Sequence, residues 1–331
     1  MRTGLVFGKF MPVHQGHLAL IDFARRQCDH LIVSMTVTPD DVISPDLRLR
    51  WLTELLAPYP TIEVVAESDD FHDPTLPLWE ATKLWAAFIK RRFPTVSVFF
   101  SSESYAIPLA HHSGLTHVAF DPPRQQVPIS ATLIRQQPAR YWAYIPEVVR
   151  PYFVKKVCLF GPESVGKTTL AQQLATAYQT TFVPEMARQF ISSNQFMVDD
   201  IIRIGYAQTE AVQTAERVAN RILFCDTDLI TTQIYSEIYF QYVPPILYEL
   251  EQQVYYDHYL LLDIDVPWVA DALRDQGHRR SEMLSRFREA LERRKIVYEL
   301  VGGGYDERYA ACKKSSESLL ARPIKGRSTG L

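Results

Sequence analysis

The stretch KKVCLFGPESVGKTTL, Lys155 to Leu170, lies at the middle of a 331-residue chain and constrains its fold more than any other. An apolar run, Val157 to Phe160, leads into Gly161-Pro162-Glu163-Ser164-Val165-Gly166-Lys167-Thr168 and then, from Thr169, into a helical pattern. Strand, glycine loop and helix in that order let successive backbone N–H groups converge on a nucleotide phosphate at a helix N-terminus. In the G-x-x-x-x-G-K-[ST] spacing, Lys167 reaches the β/γ-phosphates and the Thr168 hydroxyl reaches Mg²⁺. Gly161, Glu163 to Gly166, Lys167, Thr168 and Thr169 are therefore expected to bind a nucleoside triphosphate.

The length suggests two domains, and the glycine loop falls close to the boundary between them. A net charge of -3 offers no global basic field for nucleic acid. Cys28, Cys158, Cys225 and Cys312 are far apart, without C-x-x-C spacing, and are expected to be reduced core thiols of a cytoplasmic protein. No apolar run approaches the roughly 18 residues of a membrane span. The N-terminus enters a strand and a motif at once, so neither a signal peptide nor a preceding DNA-binding module is expected.

In the first half, strands are expected at Gly4 to Phe7, Leu31 to Val37, Thr61 to Ala66, Val96 to Phe100 and His117 to Phe120. Helical patterns at Gln15 to Gln27, Leu47 to Ala57 and Trp79 to Arg92 separate them, which predicts a parallel α/β sheet with ligands at the carboxyl ends of its strands. The first such end carries Gly8-Lys9-Phe10-Met11-Pro12-Val13-His14-Gln15-Gly16-His17. Gly16 permits close approach of a phosphate, and His14 and His17 can both donate to oxygens of an α-phosphate. Further on, Ile129-Ser130-Ala131-Thr132-Leu133-Ile134-Arg135 sets two hydroxyls and an arginine at a helix start, where Ser130, Thr132 and Arg135 can hold the β/γ-phosphates.

In the second half, Glu185 and Arg188 lie three apart at a strand-to-helix junction. The pair suits a nucleoside kinase, with the carboxylate near the acceptor hydroxyl and the arginine near phosphate; it equally fits a surface ion pair. The strand Ile222 to Cys225 ends in Asp226, a candidate Mg²⁺ ligand together with Thr168. Asp228 is a candidate substrate contact or a cap of the next helix. Arg274, Arg279 and Arg280 surround a glycine turn that reads as a lid over the transferring phosphate.

The paired HxGH and ISxTxxR stretches resemble the signatures of the nucleotidyltransferase superfamily, which transfers a nucleotidyl group from a nucleoside triphosphate and releases pyrophosphate. Within it, GKFMPVHQGH, the arginine and tryptophan of LRLRWL, FSSE at Phe100 to Glu103 and FDPPR look like nicotinamide-nucleotide adenylyltransferases of the NadR type. FGPESVGKTTL, PEMAR, CDTDLITTQ, LLLDIDVPWVADALRDQG and YDERY are similar to the ribosylnicotinamide kinase part of the same family. Met186 departs from it, since the family often carries tyrosine there.

The resemblance implies two parallel-sheet α/β domains: a Rossmann-like HxGH nucleotidyltransferase domain (1–136), a helical linker (137–154), a P-loop kinase domain (155–322) and a tail (323–331). It implies ATP and Mg²⁺ and a bifunctional enzyme that phosphorylates ribosylnicotinamide to nicotinamide mononucleotide (NMN) and adenylylates NMN to NAD. Gly8, Lys9 and Phe10 then belong to the adenylyltransferase ATP site. Trp79 is the candidate for stacking on nicotinamide, with Trp85 on the same helix, and Glu103 and Arg124 are further candidates. A nucleotide sensor, or a first domain acting on another phosphate acceptor, is the rival expectation. Homo-oligomerisation is left open.

Overall fold

A computed structural model describes residues 2–324 apart from 71, 72, 74, 194 and 271–273. The chain separates into two compact units, one running to Arg150 and including Pro323 and Ile324, the other spanning Pro151–Arg322. Of the expected tail, only Pro323 and Ile324 fall among the described residues; the Ile324 N–H donates to the Arg135 carbonyl at 3.0 Å. The expected linker forms two short 3-10 turns, Trp142–Tyr144 and Glu147–Phe153.

The first unit holds a parallel sheet of β1 (Thr3–Gly8), β2 (His30–Val37), β3 (Ile62–Ser68), β4 (Val96–Ser101) and β5 (Thr116–Ala119), in the order β3-β2-β1-β4-β5. The order reverses between β1 and β4, so a crevice opens outside their carboxyl ends, where Gly8 and Ser101 lie. Helices Gln15–Arg25, Pro45–Leu56 and Leu78–Arg92 connect the strands. Helix Ala106–Ser113, between β4 and β5, was not expected from the sequence.

The second unit repeats the plan with β6 (Lys155–Phe160), β7 (Phe182–Val183), β8 (Ile222–Asp226), β9 (His258–Leu262) and β10 (Tyr298–Val301), in the order β10-β9-β6-β8-β7. β6 is central and covered on both faces, so Val157 to Phe160 is a continuous apolar run, each residue fully buried. Its register sets Leu159 beside Asp226, which brings the carboxyl end of β8 to the start of the glycine loop. Cys158, Cys225 and Cys312 are buried free thiols, as expected; Cys28 is half-buried. None of the described helices is long and apolar enough to cross a membrane.

The core of this unit packs Leu170, Leu174 and Ala175 of helix Lys167–Tyr178 against Val157, Leu159, Phe224 and Leu260 of the sheet. Phe224 is wholly buried and lies 5.6 Å from the Tyr178 ring. Phe224→Ala is expected to cost about 3–5 kcal/mol through lost transfer energy and an unfilled cavity. A fall in the urea midpoint at constant m-value checks it.

Candidate functional sites

At the crevice of the first unit, β1 ends in Gly8, and Phe10 turns the chain through a left-handed conformation (φ 45°). His14 then caps helix Gln15–Arg25: its Nδ1 accepts from the Gly16 N–H at 3.1 Å and the His17 N–H at 3.4 Å. That leaves the His14 proton on Nε2 as a donor. The His14 and His17 rings stack with centroids 3.7 Å apart. Gly16 is required by space, because a Cβ there would lie 3.0 Å from the His14 ring and 3.3 Å from Ile129.

Both histidines, Gly8, Lys9 and Phe10 line one cavity with Ser130 and Thr132, so the two separated motifs meet as their spacing suggested. Glu103 and Arg124 join them; Arg124 bonds Glu103 at 2.6 Å and the Ile129 carbonyl at 2.8 Å. Arg135 sits otherwise. Its guanidinium is taken up by the Met11 carbonyl and, at 3.2 Å, by the Thr132 hydroxyl, so it braces the HxGH loop against the second motif and does not line the cavity.

An adjoining apolar cavity runs from Gly8 and Lys9 past Ser34 and Thr36 to Trp85, Phe88 and Tyr105. Trp85, not Trp79, faces it, packing edge-on to Phe7 and Tyr105. Trp79 packs against His111 and His112 and lines neither cavity, which corrects its assignment as the stacking residue. Lys9 is supported by residues outside the HxGH stretch. Its Nζ donates to Thr38 at 2.7 Å and Asp41 at 3.0 Å, while the wholly buried Arg48 bonds Asp41 and the carbonyls of Lys9, Thr36 and Ile43.

In the second unit the glycine loop has the conformation its composition requires. Gly161 (φ 136°) packs so closely on β9 that a Cβ would meet the Leu262 carbonyl at 3.0 Å, and Gly166 (φ 90°) caps helix Lys167–Tyr178. Lys167 Nζ donates to the Gly161 and Pro162 carbonyls at 2.9 and 2.8 Å. The Thr168 hydroxyl donates to Asp226 Oδ2, whereas buried Asp226 Oδ1 has no hydrogen-bond partner. A buried carboxylate with one oxygen unused beside a threonine hydroxyl fits a Mg²⁺ site. Burial pushes the Asp226 carboxyl up to about 6 against the opposing pull of Lys167.

Glu163 to Thr169, Glu185, Arg188 and Arg274 line one cavity together with Phe196, Ile201, Ile204, Tyr235 and Tyr239. Glu185 and Arg188 pair at 3.3 Å. Burial pushes the Glu163 carboxyl up to about 7, although the Gln276 N–H donates to it at 3.3 Å. Tyr235, Tyr239 and Gln208 were missed from the sequence, since they lie inside helices with no local motif to mark them.

Two lid assignments in this unit are corrected, and the two alternatives for Asp228 are resolved. Asp228 is the helix cap: it accepts from the Thr231 N–H at 3.0 Å and from the Tyr259 hydroxyl at 2.8 Å, and it does not line the cavity. Arg279 pairs with Glu282 one turn away. Arg280 reaches the Val266 carbonyl and lies over the Trp268 ring. Of the three proposed lid arginines, Arg274 alone lines the cavity.

The histidine pair has a pH consequence. Burial, reinforced by Arg124, pushes His17 down to about 3, and burial, then His17, then Arg124, holds His14 well below its ordinary value. Both are neutral at pH 7, whereas in the unfolded chain they protonate near their ordinary pKa of about 6.5. The unfolded state therefore binds more protons below that pH, and this stability is lost as pH falls from about 6.5 toward 3. We expect the thermal midpoint to fall between pH 7 and pH 5, and the fall to be smaller in His17→Asn. An unchanged slope in that variant would contradict the assignment.

An AAA domain model matches residues 156–308. The trifunctional NAD biosynthesis/regulator protein NadR of Escherichia coli (strain K12) is 33% identical over 337 residues, which cover 93% of this chain and 81% of that protein. Its namesake from Salmonella typhimurium is also 33% identical, over 96% of this chain and 83% of that one. The crystal structure of a NadR protein in complex with NR shares the fold at a TM-score of 0.78 and 22% identity, covering 98% of this chain and 97% of that one. With relatives of this identity aligned across both phosphate loops, the chain belongs to the NadR family.

Proposed function

We propose that the second unit phosphorylates ribosylnicotinamide with ATP to give NMN, and that the first unit adenylylates NMN to NAD with release of pyrophosphate. One observation carries this: a NadR chain holds two phosphate loops of different type, each at the carboxyl end of its own parallel sheet and each opening on an aromatic-lined space for an acceptor. His14 and His17 serve the first loop; Lys167, Thr168 and Asp226 serve the second.

In the kinase step the acceptor hydroxyl oxygen attacks the γ-phosphorus and the bond to the β,γ-bridging oxygen breaks. Glu185 accepts the hydroxyl proton, Arg188 and Arg274 offset charge on the phosphates, and Lys167 moves from the loop carbonyls to the β/γ-oxygens. Thr168 and Asp226 would hold Mg²⁺, which when bound would supply electrostatic stabilisation of the triphosphate. In the adenylyl step a phosphate oxygen of NMN attacks the α-phosphorus, and pyrophosphate leaves. No general base is needed, because that oxygen is already anionic. His14 Nε2–H and His17 stabilise the α-phosphate, while the Ser130 and Thr132 hydroxyls meet the pyrophosphate. Trp85 is placed to stack on nicotinamide.

Lys167→Ala is expected to lower NMN formation by about 10²–10³-fold and leave conversion of NMN to NAD unchanged; His17→Ala does the reverse. Glu185→Gln should lower kcat for NMN formation by about 10²-fold or more with little change in ATP affinity. Chromatography of products from ribosylnicotinamide, or from NMN, with ATP and Mg²⁺ measures both. Loss of both activities in either of the first two variants would overturn the separation of sites.

A further inference from the structure

Arg308 carries a charge that the proposed reactions do not use. It lies in the first turns of helix Tyr305–Leu320, is 2% exposed, and does not line the nucleotide cavity. Its guanidinium bonds three backbone carbonyls and one carboxylate. Nη1 donates to the Val165 carbonyl at 2.8 Å, Nε to the Gly303 carbonyl at 2.8 Å and Nη2 to the Asp263 carbonyl at 2.9 Å, and Nη2 also pairs with the Asp265 carboxylate. Gly303 follows β10 and Asp263 follows β9, so one side chain fastens the glycine loop to two strand ends.

The bond to Val165 has a directional effect. In a trans peptide the C=O and N–H point in opposite directions. Drawing the Val165 carbonyl inward onto Arg308 therefore turns the Gly166 N–H outward, on the side of the cavity that Val165, Gly166 and Lys167 line. Gly166, at φ 90°, can take up this orientation where a residue with a side chain would be strained.

We infer that Arg308 is a positioning residue of the kinase site, which aims the Gly166 N–H at the triphosphate by holding the Val165 carbonyl away from it. The inference rests on the kinase reading above. Without the guanidinium the Val165, Asp263 and Gly303 carbonyls lose a buried donor, and the peptide before Gly166 is free to rotate. The loss falls on the loop that Val165 and Gly166 contribute to the cavity, whereas Ile201 and Ile204, which we read as contacting the acceptor, belong to a separate helix, Val198–Val218.

The test is calorimetric titration of wild type, Arg308→Met and Arg308→Lys with ATP plus Mg²⁺ and, separately, with ribosylnicotinamide. NMN formation is assayed beside it, and NMN-to-NAD turnover serves as an internal control. Arg308→Met is expected to weaken ATP about tenfold or more, with ribosylnicotinamide within about twofold of wild type and NMN-to-NAD turnover unchanged. Arg308→Lys should recover only part, because an ammonium lacks the planar fork that reaches several acceptors.

Wild-type ATP affinity in folded Arg308→Met, or equal weakening of both ligands, overturns the inference. If Arg308→Met does not fold, Asp265→Asn carries the test: weaker ATP with unchanged ribosylnicotinamide supports it, and unchanged ATP affinity overturns it. A wild-type chain that binds ATP yet makes no NMN would sink the kinase reading alone, and the ATP titrations would still decide the role of Arg308.

Discussion

Both phosphate loops depend on the same interaction, a buried guanidinium that draws loop carbonyls inward. Arg48 bonds the carbonyls of Lys9, Thr36 and Ile43 in the first unit, and Arg308 bonds those of Val165, Asp263 and Gly303 in the second. Each is balanced by one carboxylate, Asp41 or Asp265. A phosphate loop needs its N–H groups facing the ligand, so its carbonyls face the protein and require donors there. A guanidinium supplies five donors in one plane, and its charge is tolerated in the interior because it is paired with a carboxylate and bonded to three carbonyls. Holding loop carbonyls in this way favours one backbone arrangement before any nucleotide arrives, which is what catalysis by positioning demands.

Burial also sets the charge state of the sites. The same desolvation lowers His14 and His17 and raises Glu163 and Asp226, so these four groups are shifted toward their uncharged forms. A triphosphate moves the histidines back toward the charged form, and a divalent cation does the same for Asp226.

The strands, and with them the fold class, were legible because central parallel strands are bare apolar runs: Val157 to Phe160 and Ile222 to Cys225 admit little else. Helix Arg280–Arg293 was not expected, although its buried positions, Met283, Phe287, Ala290 and Leu291, recur at helical spacing. The motif residues His14, His17, Ser130, Lys167 and Glu185 reached their cavities because short spacings at strand ends fix direction. Residues whose role depends on distant partners did not. Trp79 and Trp85 share one helix, and only the packing of helix Ala106–Ser113 decides which one faces the cavity. Asp228 is held by the Tyr259 hydroxyl from β9, 31 residues away, whereas Arg279 is taken by Glu282 within its own turn.

The central claim is that each unit completes one phosphate site by itself, with NMN passing from one to the other. Mixing Lys167→Ala with His17→Ala in equal amounts, with ribosylnicotinamide, ATP and Mg²⁺, tests this most directly. The account predicts that NMN appears first and NAD follows, although neither variant alone makes NAD from ribosylnicotinamide. No NAD from the mixture, while each variant still performs its own half-reaction on supplied substrate, would contradict it.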